Sequence, residues 1–166
     1  MTSSEISDFL HGEELVPVVF LQECEGLGFI VNPEQSDADI PVNYRANIPF
    51  WLAQILANPQ VNIVRVGVPE WVAGIHPGAA IETERSYHFA AAISSLCGEP
   101  EIGKNIIDTC KERLGTVVRN SYISSQSTLQ RNEDIVYMTE EKELITQTQK
   151  SVDLFYKWKT GQGSMN

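Results

Sequence analysis

Signatures of catalysis are what this 166-residue chain lacks. It has no G-x-x-x-x-G-K-[ST] loop to hold a nucleotide phosphate and no G-x-S-x-G elbow. Gly26-Leu27-Gly28 lacks the third glycine of a dinucleotide loop and reads as a turn. Its three cysteines, Cys24, Cys97 and Cys110, show no C-x-x-C spacing, so neither a disulfide framework nor a zinc site is indicated. The three histidines, His11, His76 and His88, stand at no metal-ligand spacing from one another or from a cysteine. The expectation is a chain that is not an enzyme and needs no cofactor or metal.

Basic residues are also scarce. Lys and Arg number 12 against 22 Asp and Glu, a formal charge of −10, and no basic cluster exists to neutralise a phosphate backbone. Sequence-specific nucleic-acid binding by this chain alone is not expected. The excess is local: residues 1 to 50 hold nine acids and one base, Arg45, whereas the rest is nearly balanced. An acidic face suits either solubility or a basic protein partner. No apolar window approaches the ~18 residues of a membrane span, and no signal-like start appears, so a soluble intracellular chain is expected.

What is present is 42% hydrophobic residues, enough for a folded chain of one or two small domains. Leu15 to Leu21 and Leu27 to Val31, separated by the Glu25-Gly26 turn signal, predict a hairpin. Pro17, which cannot donate to a ladder, suggests that the first run is an edge strand or the start of one. After a polar loop over 32 to 41 comes Ile48-Pro49-Phe50-Trp51-Leu52-Ala53-Gln54-Ile55-Leu56, a helix over about 48 to 57 with Pro49 in its first turn. Its large apolar residues span more than one stripe, so it calls for cover on several sides. Trp51 and Leu52 are expected in the chain's own core. Asn58-Pro59 stops this helix, Val61 to Val68 reads as a third strand, and Pro69 to Val72 as one helical turn.

The pattern turns helical after His76-Pro77-Gly78. Helices are predicted from about Glu82 to Leu96, ended by Gly98, and from about Gly103 to Ser124, with a seam of Ile106, Ile107, Cys110, Leu114, Val117 and Val118. A last helix, starting at Asn132 or Thr139, carries a seam of Leu144, Ile145, Thr148, Val152, Phe155 and Tyr156. The fold class is therefore α+β: a small β-rich N-terminal domain over 1–75, followed by a mainly α-helical domain over 76–166. His88, between Tyr87 and Phe89, is expected to be partly buried. Arg113 is open between a carboxylate partner and solvent.

Several stretches resemble one family in the same order along the chain. Glu14-Leu15-Val16-Pro17, Gly26-Leu27-Gly28 and Ile48-Pro49-Phe50-Trp51-Leu52-Ala53 are similar to the N-terminal domain of the third Psf subunit of the GINS complex. Tyr87-His88-Phe89, Thr109-Cys110-Lys111-Glu112-Arg113 and Leu144 through Phe155, Trp158, Lys159, Gly161 and Gln162 resemble its later helices and tail. The chain departs from the family pattern at Pro77 to Glu82 and at Ala90-Ala91-Ala92, which marks a divergent member.

The resemblance implies a non-catalytic nuclear subunit of the GINS heterotetramer. Its partners would be the other three GINS subunits, the Mcm ring, Cdc forty-five and, as a further contact, the leading-strand DNA polymerase, with no membrane. Within that assembly it would be a scaffold bridging Cdc forty-five and the Mcm ring, in initiation and elongation of DNA replication. The interface or core anchors are Pro49, Phe50, Trp51, Leu52, Tyr87, His88, Phe89, Arg113, Phe155 and Trp158. A helical adaptor of another intracellular complex is the alternative.

Overall fold

The computed structural model describes residues 10–31, 38–81, 84–126 and 135–161, with only the backbone of 123–126. The loop over 32 to 37 and the possible helix start at Asn132 lie outside the described residues. The chain forms two compact units: Met1–Ala73 with Ala92–Pro100, and Gly74–Ala91 with Glu101–Asn166. A three-stranded antiparallel sheet is followed by a mostly helical region, the α+β class that the sequence pattern predicts.

In the first unit the sheet has the order β2-β1-β3, with β1 at Leu15–Phe20, β2 at Arg45–Pro49 and β3 at Val64–Val66. β1 alternates strictly, and Val16, Val18 and Phe20 point into the core. Ile48, Val64 and Val66 join them from the flanking strands. Each such side chain contributes roughly 1.5 to 3 kcal/mol when buried.

β1 is the central strand, which overturns the edge-strand alternative offered for Pro17. The Pro17 carbonyl accepts the Gly67 N–H at 2.8 Å, and the N and C=O of a strand residue point to the same side. The missing donor therefore faces the place just beyond the end of β3, where no ladder bond is lost.

The predicted local hairpin is also corrected. Residues Gly28–Ile30 form one 3-10 turn, closed by Ile30 N–H to Leu27 O and Val31 N–H to Gly28 O. Gly26, at φ 65°, turns the chain, and a Cys24–Ile40 bridge closes the excursion further along. The partner of β1 is consequently β2, in the register Val16↔Ile48 and Val18↔Ala46.

Helix α1 is Phe50–Leu56. Pro49 is not in its first turn: at ψ 142° it is the last residue of β2 and the N-cap. The Phe50 N–H, the first without an intrahelical partner, donates to Glu14 O at 2.9 Å. A helix of seven residues turns one stripe to the core, and Phe50 and Ala53 occupy it. Trp51 lies off that stripe and is 46% exposed, so it is not the core member expected.

Asn58 then closes a turn through Asn62 N–H to Asn58 O, and Asn62 adopts φ 48°. That left-handed residue interrupts the predicted strand and confines β3 to Val64–Val66. Glu70–Ala73 is the expected helical turn, α2.

Helix α3 is Tyr87–Cys97, and Ser86 caps it, its Oγ accepting the Phe89 N–H at 3.2 Å; the predicted start at Glu82 lies outside the described residues. Gly98 at φ 72° ends it as predicted. Helix α4 spans Pro100–Gln126 and α5 spans Thr139–Lys159, the latter starting at the second of the two predicted positions.

Only part of the predicted α4 seam is inward. Ile106, Thr109, Val117 and Ser121 are buried, while Ile107, Leu114 and Val118 are exposed. The predicted α5 seam is half-buried through Leu144, Ile145, Thr148 and Val152 and then ends, since residues 153–161 are all exposed.

Candidate functional site

The helical unit is organised by two consecutive carboxylates in the first turn of α5, Glu140 and Glu141. Glu140 receives the first turn of α3. Its oxygens accept the Tyr87 N–H at 3.0 Å, the His88 N–H at 2.9 Å and the Ser86 hydroxyl at 2.7 Å. A carboxylate at a helix N-terminus meets free N–H groups and the positive end of the dipole. Glu140 therefore fills, from within the chain, a position that could otherwise take an external anion.

Glu141 is 6% exposed and is bound from three directions. Arg113 approaches side-on, Nε donating to Oε1 at 2.7 Å and an Nη to Oε2 at 2.8 Å, the bidentate geometry suited to a carboxylate. The Tyr87 hydroxyl donates to Oε1 at 2.9 Å. The Met138 N–H, one residue before α5, donates to Oε2 at 2.9 Å, the return half of a capping box. Arg113 also donates to Val136 O at 2.9 Å.

Burial alone pushes both carboxyls up, but hydrogen bonding outweighs it. Glu141 is held below the ordinary carboxylate range by Arg113, the Met138 N–H and Tyr87. Glu140 is held below it by the His88 N–H, the Ser86 hydroxyl and the amides of Glu140 and Tyr87. The Glu141 hydrogen bond raises Arg113. Burial and the same carboxylate push Tyr87 well up, so its hydroxyl remains a donor. Both glutamates are fixed as anions, which suits a structural anchor and not a general acid.

Burial likewise pushes the three thiols up, Cys97 to about 11, away from thiolate reactivity. Among the described residues no group of three or more His, Cys, Asp or Glu could hold a metal ion, and no helix is long and apolar enough to cross a membrane.

The structure distributes the sequence-predicted anchors over two settings. Tyr87, Phe89 and Phe50 are buried, Arg113 is partly buried on Glu141, and Pro49 and Leu52 are half-buried. Trp51, Phe155 and Trp158 are exposed, Trp158 at 72%. His88 is exposed instead of partly buried, because its neighbours Tyr87 and Phe89 take the inward face of the helix and leave it the outward one.

Phe155 lies 6.1 Å from Tyr156 and 5.9 Å from Trp158 between ring centroids, and Leu154 is exposed beside them. The last turns of α5 thus present a contiguous aromatic and aliphatic surface to solvent. Ser86, Glu140 and Glu141 were not among the sequence-predicted residues. The available signal was Glu141, placed three residues after the position that precedes the helix, with Arg113 in need of an anion.

Residues 5–58 match the family model described as the PSF3 N-terminal domain. The chain carries a PSF3 N-terminal domain. The match supports the third Psf subunit of GINS as the family of this chain, and with it a part in DNA replication. No curated protein matches the chain. The matched segment takes in β1, β2 and α1, including Pro49, Phe50, Trp51 and Leu52. Tyr87, His88, Phe89, Arg113, Phe155 and Trp158 lie beyond it.

Proposed function

We propose that this chain is a non-catalytic scaffold subunit of the GINS heterotetramer, bridging Cdc forty-five and the Mcm ring in the replicative helicase in the nucleus. It serves initiation and elongation of DNA replication, with the leading-strand DNA polymerase as a further neighbour. The small domain is residues 1–75 and the helical domain 76–166. Direct sequence-specific contact with nucleic acid is not part of this role.

The observation that carries the reading is the exposed apolar surface of the two long helices in a chain with a PSF3 domain. Leu154, Phe155, Tyr156 and Trp158 on α5, and Ile107, Leu114 and Val118 on α4, are the residue types that fill the centre of obligate interfaces. Aromatic residues also dominate interface energetics. The fixed ionic anchor at Glu141 gives such helices a rigid base.

Reconstitution of the helicase from purified subunits, with and without this chain, tests the bridging role. Co-precipitation of Cdc forty-five with the Mcm ring is expected only when the chain is present. Equal recovery without it would overturn the proposal.

A further inference from the structure

The solvent face of the N-terminal sheet carries two arginines in a chain of net charge −10. Sheet register sets Arg45 of β2 directly beside Val19 of β1, and on the other side of Val19 it sets Arg65 of β3. With strands about 4.8 Å apart, the two arginine backbones stand about 10 Å apart across one row. Directly paired residues share a face, so both guanidinium stems leave the sheet with Val19, on the side opposite Val16, Val18 and Phe20. Pro17 is two residues back on the same face, beside Asn47.

A groove of about 340 Å³ runs along the Arg45 side of this surface, lined among others by Pro17, Val19, Arg45, Asn47 and Gly67, and Arg65 stands outside that lining. Both arginines are exposed, and among the described residues no carboxylate pairs with either. Arg45 is the single base among the first fifty residues, against nine acids.

We propose that this face docks an acidic linear peptide of a partner protein. An aliphatic side chain of the peptide rests on Pro17 and Val19, and carboxylates on either side of it are taken by Arg45 and Arg65, whose planar forks match carboxylate geometry. The charge balance selects this occupant. Two arginines on a chain of net charge −10 are too few to release the counterions that drive nucleic-acid binding, whereas a short peptide needs only two matched contacts.

The test is fluorescence anisotropy of a fluorescein-labelled ten-residue peptide of alternating Asp and Leu against the full chain. Saturable binding at low salt is expected, weakened about tenfold or more by R45E/R65E, by replacing each peptide Asp with Asn, and by raising the salt to about 0.5 M. The exposed pair K104E/K111E, which keeps the same overall charge change, is expected to bind as the parent does. Circular dichroism of each variant monitors the fold, and R45Q/R65Q gives a milder version of the same loss. Absence of saturable binding, equal binding of the Asn peptide, full binding by R45E/R65E, or tighter binding of a ten-nucleotide oligothymidylate would overturn the proposal.

Discussion

At the scale of single residues, the loss of Glu141 is expected to be costly. It neutralises Arg113, receives the Tyr87 hydroxyl and closes the Met138 N–H. Glu141→Gln leaves the Arg113 charge partly buried without a counter-ion, and stability is expected to fall by about 3 kcal/mol in urea unfolding. Arg113→Met combined with it removes the orphaned charge as well. The double variant is therefore expected to be more stable than the sum of the two single losses by about 1 kcal/mol or more, whereas strict additivity would show the pair to be uncoupled. Ser86→Ala, which deletes both the α3 cap and a donor to Glu140, is expected to cost about 1 kcal/mol by the same measurement.

At the scale of elements, the aromatic end of α5 separates stability from assembly. Phe155 and Trp158 are exposed, and the Phe155 ring neighbours those of Tyr156 and Trp158. The Phe155→Ser, Trp158→Ser double variant is expected to change the unfolding free energy of the isolated chain by less than about 0.5 kcal/mol while abolishing co-purification with sister subunits. A large loss of stability in the isolated chain would instead place these rings in its own core.

Legibility in the sequence also divides by element. Long periodic helices and their glycine stops, such as Gly98, follow from local chemistry, and so does the alternation of β1. Strand pairing does not, because the hairpin inferred around Gly26 competes with a longer closure to Ile40 and β2 that only tertiary packing decides. Pro17 misleads for a related reason: its effect depends on which neighbour its missing N–H faces. The Glu140 and Glu141 site is similarly hidden, since Ser86 lies more than fifty residues from Glu140 and no spacing rule links them.

At the scale of the whole molecule, charge sets the response to pH. Glu140 and Glu141 have folded-state pKa values below their ordinary ones, so their contribution to stability is full above the unfolded carboxylate value of about 4.3. It is lost as pH falls through the lowered values in the folded chain. Chemical unfolding followed from pH 7 to about pH 3 is expected to show stability dropping below about pH 4. Glu141→Gln is expected to flatten that slope, because one of the two linked protons is gone.

The same scale holds the question of what covers the helical surface that this chain leaves to solvent. Co-expression with the other three GINS subunits, followed by size-exclusion chromatography with light scattering, addresses it directly. An equimolar four-subunit peak containing this chain is the predicted result. A monodisperse chain eluting apart from an assembly of the other three would contradict the proposal that it is a GINS scaffold subunit.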